Sequence, residues 1–132
     1  MIKLFVDGCS LGNPGDAGIG LVIYKNGKVI KKLSKYIGET TNNFAEYLSL
    51  IFGLQEILSL RERPVYVYMD SELVVNQIKG YYKIKNKILY PLNFLVKHLI
   101  SLIGECKILY TSRKNNKLAD SLAKEGAKSR KN

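Results

Sequence analysis

Apolar residues recur along this chain with two periods, and the switches between them mark its elements. Residues 2–7 (Ile-Lys-Leu-Phe-Val-Asp) alternate and are rich in β-formers, which predicts a strand ending at Asp7. Gly8, Gly12, Pro14, Gly15 and Gly18 predict a tight loop over 8–18. Residues 19–24 read as a second strand. Asn26-Gly27 separates it from Val29-Ile30, and that dipeptide favours a two-residue hairpin turn, so strands two and three are expected to be antiparallel neighbours, the third reaching about Ile37. Phe44, Tyr47, Leu48, Ile51, Leu54, Ile57 and Leu58 repeat at helical spacing and predict a helix from about Asn43 to Leu60. Val65–Met69 reads as a short buried strand and 71–79 as a short helix, whereas 80–90 fits neither period. Pro91 suits the first turn of a helix reaching about Ile103. Residues 107–110 form a fifth strand and 115–128 a last helix. The order βββαβααβα predicts an α/β domain whose sheet is mixed: a hairpin-linked antiparallel half, then crossovers.

The 132 residues suit one domain, expected over 1–128 with a basic tail over 129–132. With 46% apolar and 24% charged residues, the composition is that of a soluble globular chain. No apolar run reaches the roughly 18 residues of a membrane span, and the opening residues show no signal-peptide pattern. Cys9, Cys106 and a single His98 are too few for a four-ligand Cys/His zinc site or a disulfide framework. A reduced, cytoplasmic setting follows. The net charge of +10 points to a polyanion, either nucleic acid or a membrane surface, or to a solvated lysine-rich exterior. Composition alone leaves these open.

Four acids sit at predicted element ends: Asp7 and Asp70 after strands, Glu46 in the first turn of the long helix, Asp120 in the last helix. Each has a plain structural reading. Asp7-Gly8 could open a turn; Asn43-x-x-Glu46 resembles a capping box; Asp70 could cap a helix; Asp120 could pair with Lys117 or Lys124. If the first and fourth strands are neighbours, however, Asp7 and Asp70 leave the same sheet rim, where ligand sites gather. Clustered carboxylates repel by about 4 kcal/mol per pair at 4 Å and an effective dielectric of 20. They therefore retain protons or hold a hard cation, and an oxygen-only donor set favours Mg²⁺ or Mn²⁺. An acidic, cation-holding pocket in a basic protein suggests phosphodiester chemistry with two ions.

Four stretches together resemble the motifs of type 1 ribonuclease H: Asp7-Gly8-Cys9-Ser10-Leu11-Gly12-Asn13-Pro14-Gly15, Thr40-Thr41-Asn42-Asn43-Phe44-Ala45-Glu46, Tyr68-Met69-Asp70-Ser71, and Asn115-Asn116-Lys117-Leu118-Ala119-Asp120-Ser121-Leu122-Ala123. They occur in the family's order over nearly the whole chain. The resemblance implies the ribonuclease H-like fold, a five-stranded mixed sheet flanked by helices with the first three strands antiparallel. It implies that Asp7, Glu46, Asp70 and Asp120, which match by position, are the catalytic, metal-binding acids, with two Mg²⁺ (or Mn²⁺) ions per site. It further implies cleavage of the RNA strand of RNA–DNA hybrids to 3′-OH and 5′-phosphate ends. Glu46 would also contact the ribose, and the 2′-OH is what separates RNA from DNA. Gly8, Ser10, Asn13 and Asn42 fall where family members contact sugars and base edges, Thr41 and Asn13 near a DNA-phosphate pocket, and Ser71, beside the third acid, is a further expected substrate-binding residue.

The chain departs from the family in two places. Many members carry a His in the loop before the last acid. Here Arg113 stands roughly at that place, and it cannot act as a base near neutral pH, though it could bind phosphate. The basic protrusion of some members is reduced to residues 80–90, where Lys83, Lys85 and Lys87, with Lys79 just before, interleave with Tyr81, Tyr82 and Tyr90. The lysines could track phosphates and the tyrosines stack; alternatively Ile84, Ile88 and the tyrosines pack inward. His98 is expected to be a structural or surface residue, Cys9 to be passive, and Cys106 to lie in the core. A monomer acting on hybrid is the reading. The alternatives are a relaxed nuclease that also cuts double-stranded RNA, a catalytically silent hybrid-binding module, and a piece of a larger polyprotein or mobile-element enzyme.

Overall fold

A computed structural model describes residues 1–130; Lys131 and Asn132, part of the expected basic tail, lie outside the described residues. The strands are β1 (Ile2–Ser10), β2 (Gly15–Lys25), β3 (Lys28–Thr40), β4 (Val65–Met69) and β5 (Cys106–Tyr110). The helices are α1 (Asn42–Leu58), α2 (Glu72–Lys79), α3 (Leu89–Ile103) and α4 (Lys117–Ser129), with one 3₁₀ turn at Arg113–Asn115. The element order matches the expected one. The sheet runs β3-β2-β1-β4-β5, antiparallel across the first three strands and parallel from β1 to β4 to β5. Asn26 and Gly27 both take positive φ (51° and 84°), the two-residue turn that Asn-Gly favours.

Alternation along β1 divides its residues between two faces. Ile2, Leu4 and Val6 are fully buried with Leu21, Ile23, Val65, Val67 and Met69 beneath α1, α2 and α3. Lys3, Phe5 and Asp7 face the other way, where α4 covers only the antiparallel half. Gly20 on β2 lets α4 approach: a Cβ there would stand 2.7 Å from the Cβ of Leu122. Within the first core, Tyr47, Gln77 and Asn93 join α1, α2 and α3 through buried hydrogen bonds of 2.7 and 3.3 Å.

Several boundaries differ from the sequence expectations. The region 8–18 is not a loop: β1 continues three residues past Asp7 and β2 begins at Gly15, leaving only a short turn. Glycines in that stretch serve close packing as well as turning. β3 runs on to Thr40, because it pairs with β2 over its whole length. Helix α3 starts at Leu89, two residues before Pro91, and α4 starts at Lys117 after the 3₁₀ turn. On α1, Leu58 is exposed while Ala45, Leu50 and Gly53 join the buried face. Residues 81–88 form no regular element; Ile84 leans on the core, whereas Ile88, Tyr81 and Tyr82 are exposed. Cys106 is half-buried at the core's edge, and His98 is exposed.

Candidate active site

The parallel pairing of β1 with β4 creates the site. Phe5 lies opposite Tyr68, so two residues further on Asp7 comes level with Asp70 at one sheet rim. The first turns of α1 close in from the side. Gly8 permits this, since a Cβ at Gly8 would run into the Ala45 backbone and stand 2.6 Å from the Glu46 amide nitrogen. Glu46 is thereby brought over the strand, and its Oε1 accepts the Gly8 N–H at 2.9 Å.

Carboxylate oxygens of Asp7, Glu46 and Asp70 all lie within 4.8 Å of one another. Asp7 is 4% exposed. Burial, then the charges of Glu46 and Asp70 and a hydrogen bond with Asp120, push its carboxyl far above the usual range. Burial likewise raises Glu46, against the opposing pull of the Gly8 N–H and of nearby Arg113. The fold thus gathers acids that it does not neutralise. Oxygen donors without His or Cys, converging on one point and short of compensating charge, fit a hard divalent cation. Asp120 stands at the edge of this trio, touching Asp7 and forming an ion pair with Lys124 at 3.1 Å.

The structural readings of the acids divide. Asp7-Gly8 opens no turn, since β1 runs through it. Glu46 closes no capping box: Thr41 caps α1, its hydroxyl accepting the Phe44 N–H at 3.3 Å. Asp70 is not a cap either, because Ser71 fills that place and accepts the Val74 N–H at 3.2 Å. Only the Asp120–Lys124 pairing is observed as that reading supposed.

Around the acids, the turn after β1 is tied to the start of α1. The Ser10 N–H donates to Asn42 Oδ1 at 2.8 Å, and the Asn42 N–H donates to Asn13 Oδ1 at 3.1 Å. The Ser10 hydroxyl donates to the carbonyls of Gly12 and Thr40. Gly8, Ser10, Asn13, Thr41 and Asn42 therefore form one continuous rim beside the acids. Asn13 and Asn42 are exposed, and the Oδ1 of each accepts one of these backbone N–H groups. Arg113 lies close enough to Glu46 to bias its charge. Lys83 and Lys85 line a separate groove with Tyr81, Tyr82 and Asn43, which shares the start of α1 with the acid site; Lys79 and Lys87 are exposed nearby. Asn116, which an Asn at a helix start would lead one to read as a cap, instead donates its Nδ2 to the Val6 carbonyl at 2.9 Å and to Asp70 Oδ2 at 3.4 Å.

A family described as reverse transcriptase-like matches residues 5–126. The structure of LC11-RNase H1, solved in complex with an RNA/DNA hybrid, superposes with a TM-score of 0.90 at 38% identity, covering 96% of each chain. The chain belongs to the ribonuclease H family. Ribonuclease H1 of the archaeon Halobacterium salinarum NRC-1 is also similar, with a TM-score of 0.91 at 30% identity, covering 95% of this chain and 96% of that one. The bifunctional protein Rv2228c of Mycobacterium tuberculosis is 38% identical over 126 residues, 94% of this chain but 35% of its own length. This ribonuclease H domain thus spans about a third of that mycobacterial relative. Its five-stranded mixed sheet and four helices are those of the type 1 members. No helix among the described residues is long and apolar enough to cross a membrane.

Proposed function

We propose that this ribonuclease H domain is a divalent-metal-dependent endonuclease that hydrolyses the RNA strand of RNA–DNA hybrids, leaving 3′-OH and 5′-phosphate ends. The observation that carries the reading is the convergence of Asp7, Glu46 and Asp70 within 4.8 Å at the sheet rim. Asp7, Glu46 and Asp70, with Asp120 at the edge, would hold two ions, Asp7 and Asp70 lying nearest both. When bound, Mg²⁺ or Mn²⁺ supplies Lewis-acid activation of water and neutralises charge at the scissile phosphate.

The chain's own residues do the rest. The Gly8 N–H and Arg113 partly offset the burial that raises Glu46, and either protonation state of its carboxyl can accept a ribose 2′-OH hydrogen bond. The exposed amide side chains of Asn13 and Asn42 suit sugar and base-edge contacts, and the Thr41–Asn13 rim suits a DNA phosphate. Ser71 positions α2 directly behind Asp70. Arg113 is a fixed cation for the scissile or product phosphate. It cannot shuttle a proton as a loop His would. Lys79, Lys83, Lys85 and Lys87 would follow backbone phosphates. The free thiols Cys9 and Cys106 suit a reducing compartment, and the reading places a monomeric domain, residues 1–128 with a short basic tail, in the cytoplasm.

The test is cleavage of matched duplexes at equal enzyme concentration: RNA–DNA hybrid, double-stranded RNA and double-stranded DNA. Loss of the RNA strand of the hybrid alone supports the reading. Equal cutting of double-stranded RNA points to a relaxed nuclease, and binding without cleavage to a silent module.

A further inference from the structure

Asn116 occupies the N-cap of α4, where an Asn side chain ordinarily accepts a hydrogen bond from the first-turn N–H groups. It makes no such bond. The side chain turns inward and is 2% exposed. Its Nδ2 donates to the Val6 carbonyl at 2.9 Å and to Asp70 Oδ2 at 3.4 Å. Its backbone carbonyl accepts the Asp120 N–H at 3.0 Å. One residue thus touches the backbone immediately before Asp7, the carboxylate of Asp70 and the backbone of Asp120. Both side-chain partners are acceptors, so the amide fits in one orientation only. That orientation leaves Oδ1 buried and accepting from no described residue, a cost the fold carries in order to present the donor end to the acids.

We infer that Asn116 is a positioning residue for the metal site, holding the Asp70 carboxylate in register with Asp7. The inference rests on the metal-dependent reading above. Asp70 follows the end of β4, at the free rim of the sheet, and its carboxylate must be held within 4.8 Å of those of Asp7 and Glu46. A buried amide donor fixed to β1 through Val6 supplies the restraint. Groups that orient a metal-binding carboxylate from behind typically change metal affinity by about 10- to 100-fold when removed.

Mn²⁺ binding to the whole domain, followed by calorimetry and by electron paramagnetic resonance, tests this without reference to cleavage. Asn93 serves as the control, because it too is a 2% exposed amide with buried partners, Tyr47 and Gln77, on the far side of the sheet. N116A is expected to weaken Mn²⁺ binding about 10- to 100-fold, while N93A loses thermal stability in EDTA but binds Mn²⁺ as the wild type does. N116S, which keeps a short donor and a good cap residue, retains more affinity than N116A, and it carries the comparison should N116A fail to fold. Wild-type affinity in the Asn116 variants, or an equal loss in N93A, overturns the inference and leaves Asn116 a packing residue. A wild type whose Mn²⁺ binding is absent, or is untouched by D70N, overturns the metal-dependent reading itself.

Discussion

At Asp7 the demands of folding and of function oppose one another. The residue is buried beside two other acids, and its carboxyl is pushed up to about 10, that of Glu46 to about 8, from ordinary values of 3.8 and 4.5. Folded-state values raised above unfolded ones mean that the native protein binds more protons than the unfolded chain over the interval between them. Metal-free stability is therefore full below about pH 4 as far as these groups contribute, and it falls as pH rises toward 8 and beyond. Urea midpoints measured from pH 5 to 9 in EDTA should decline, and saturating Mg²⁺ should flatten the slope; a midpoint that rises with pH in EDTA contradicts the account. By the same logic, D7N should abolish cleavage yet raise the melting temperature in EDTA at pH 8, on the order of 4 °C for each 1 kcal/mol removed from the cost of burying and protonating that carboxyl. A calorimetric scan of both proteins checks it. The identities of these acids were legible in the sequence, since four motifs carry them in order. Their protonation was not, because it depends on burial that only the β1–β4 pairing and the approach of α1 create. Asn116 was hidden for a related reason: an Asn before a helix reads locally as a cap, and its partners lie far away in sequence at Val6 and Asp70.

Among the elements, the glycines decide the geometry. The alternation of β1 and the Asn26-Gly27 turn made the antiparallel half readable, and the spacing on α1 gave its helix. The glycine-rich stretch 8–18 was misread as a loop because glycine signals a turn and a close contact alike. At Gly8 the contact is with α1, and at Gly20 it is with α4. G8A should therefore push α1 away from β1, losing the Glu46–Gly8 hydrogen bond and most cleavage activity, with a stability loss of about 1–3 kcal/mol. G20V should detach α4 and cost more, since it carries Asp120 and covers one sheet face. Denaturant unfolding alongside a hybrid-cleavage assay separates the two: G27A, at a hairpin turn with open space around it, should lose stability through its positive φ of 84° while leaving the site intact. Residues 81–88 stayed unreadable for a simple reason. Their apolar residues have no consistent period, and the structure gives them no regular element.

For the whole molecule, charge is the governing quantity. The chain carries a net charge of +10, while Asp7, Glu46 and Asp70 converge at one point of the sheet rim, so the proposed polyanion would be attracted by the molecule as a whole and would meet the acids only with cations between. Hybrid binding should weaken at least tenfold between 50 and 200 mM salt if several phosphates are contacted. Replacing Lys83, Lys85 and Lys87 together by Glu should raise KM and reduce the salt slope with kcat little changed; steady-state kinetics at two salt concentrations would show it, and an unchanged KM removes these lysines from the interface. Composition announced the charge but left a polyanionic partner and a solvated lysine-rich exterior equally open, because the placement of charge relative to the acids is a property of the fold. The family relationship and the carboxylate cluster both support the proposed chemistry. Its most direct test is incubation of the purified domain with a strand-labelled RNA–DNA hybrid in Mg²⁺, Mn²⁺ or EDTA, beside D70N. Metal-dependent loss of the RNA strand in the wild type, absent in EDTA and in D70N, is the predicted result. Cleavage that persists in EDTA, or in D70N, would contradict the assignment of the chemistry to the carboxylate cluster.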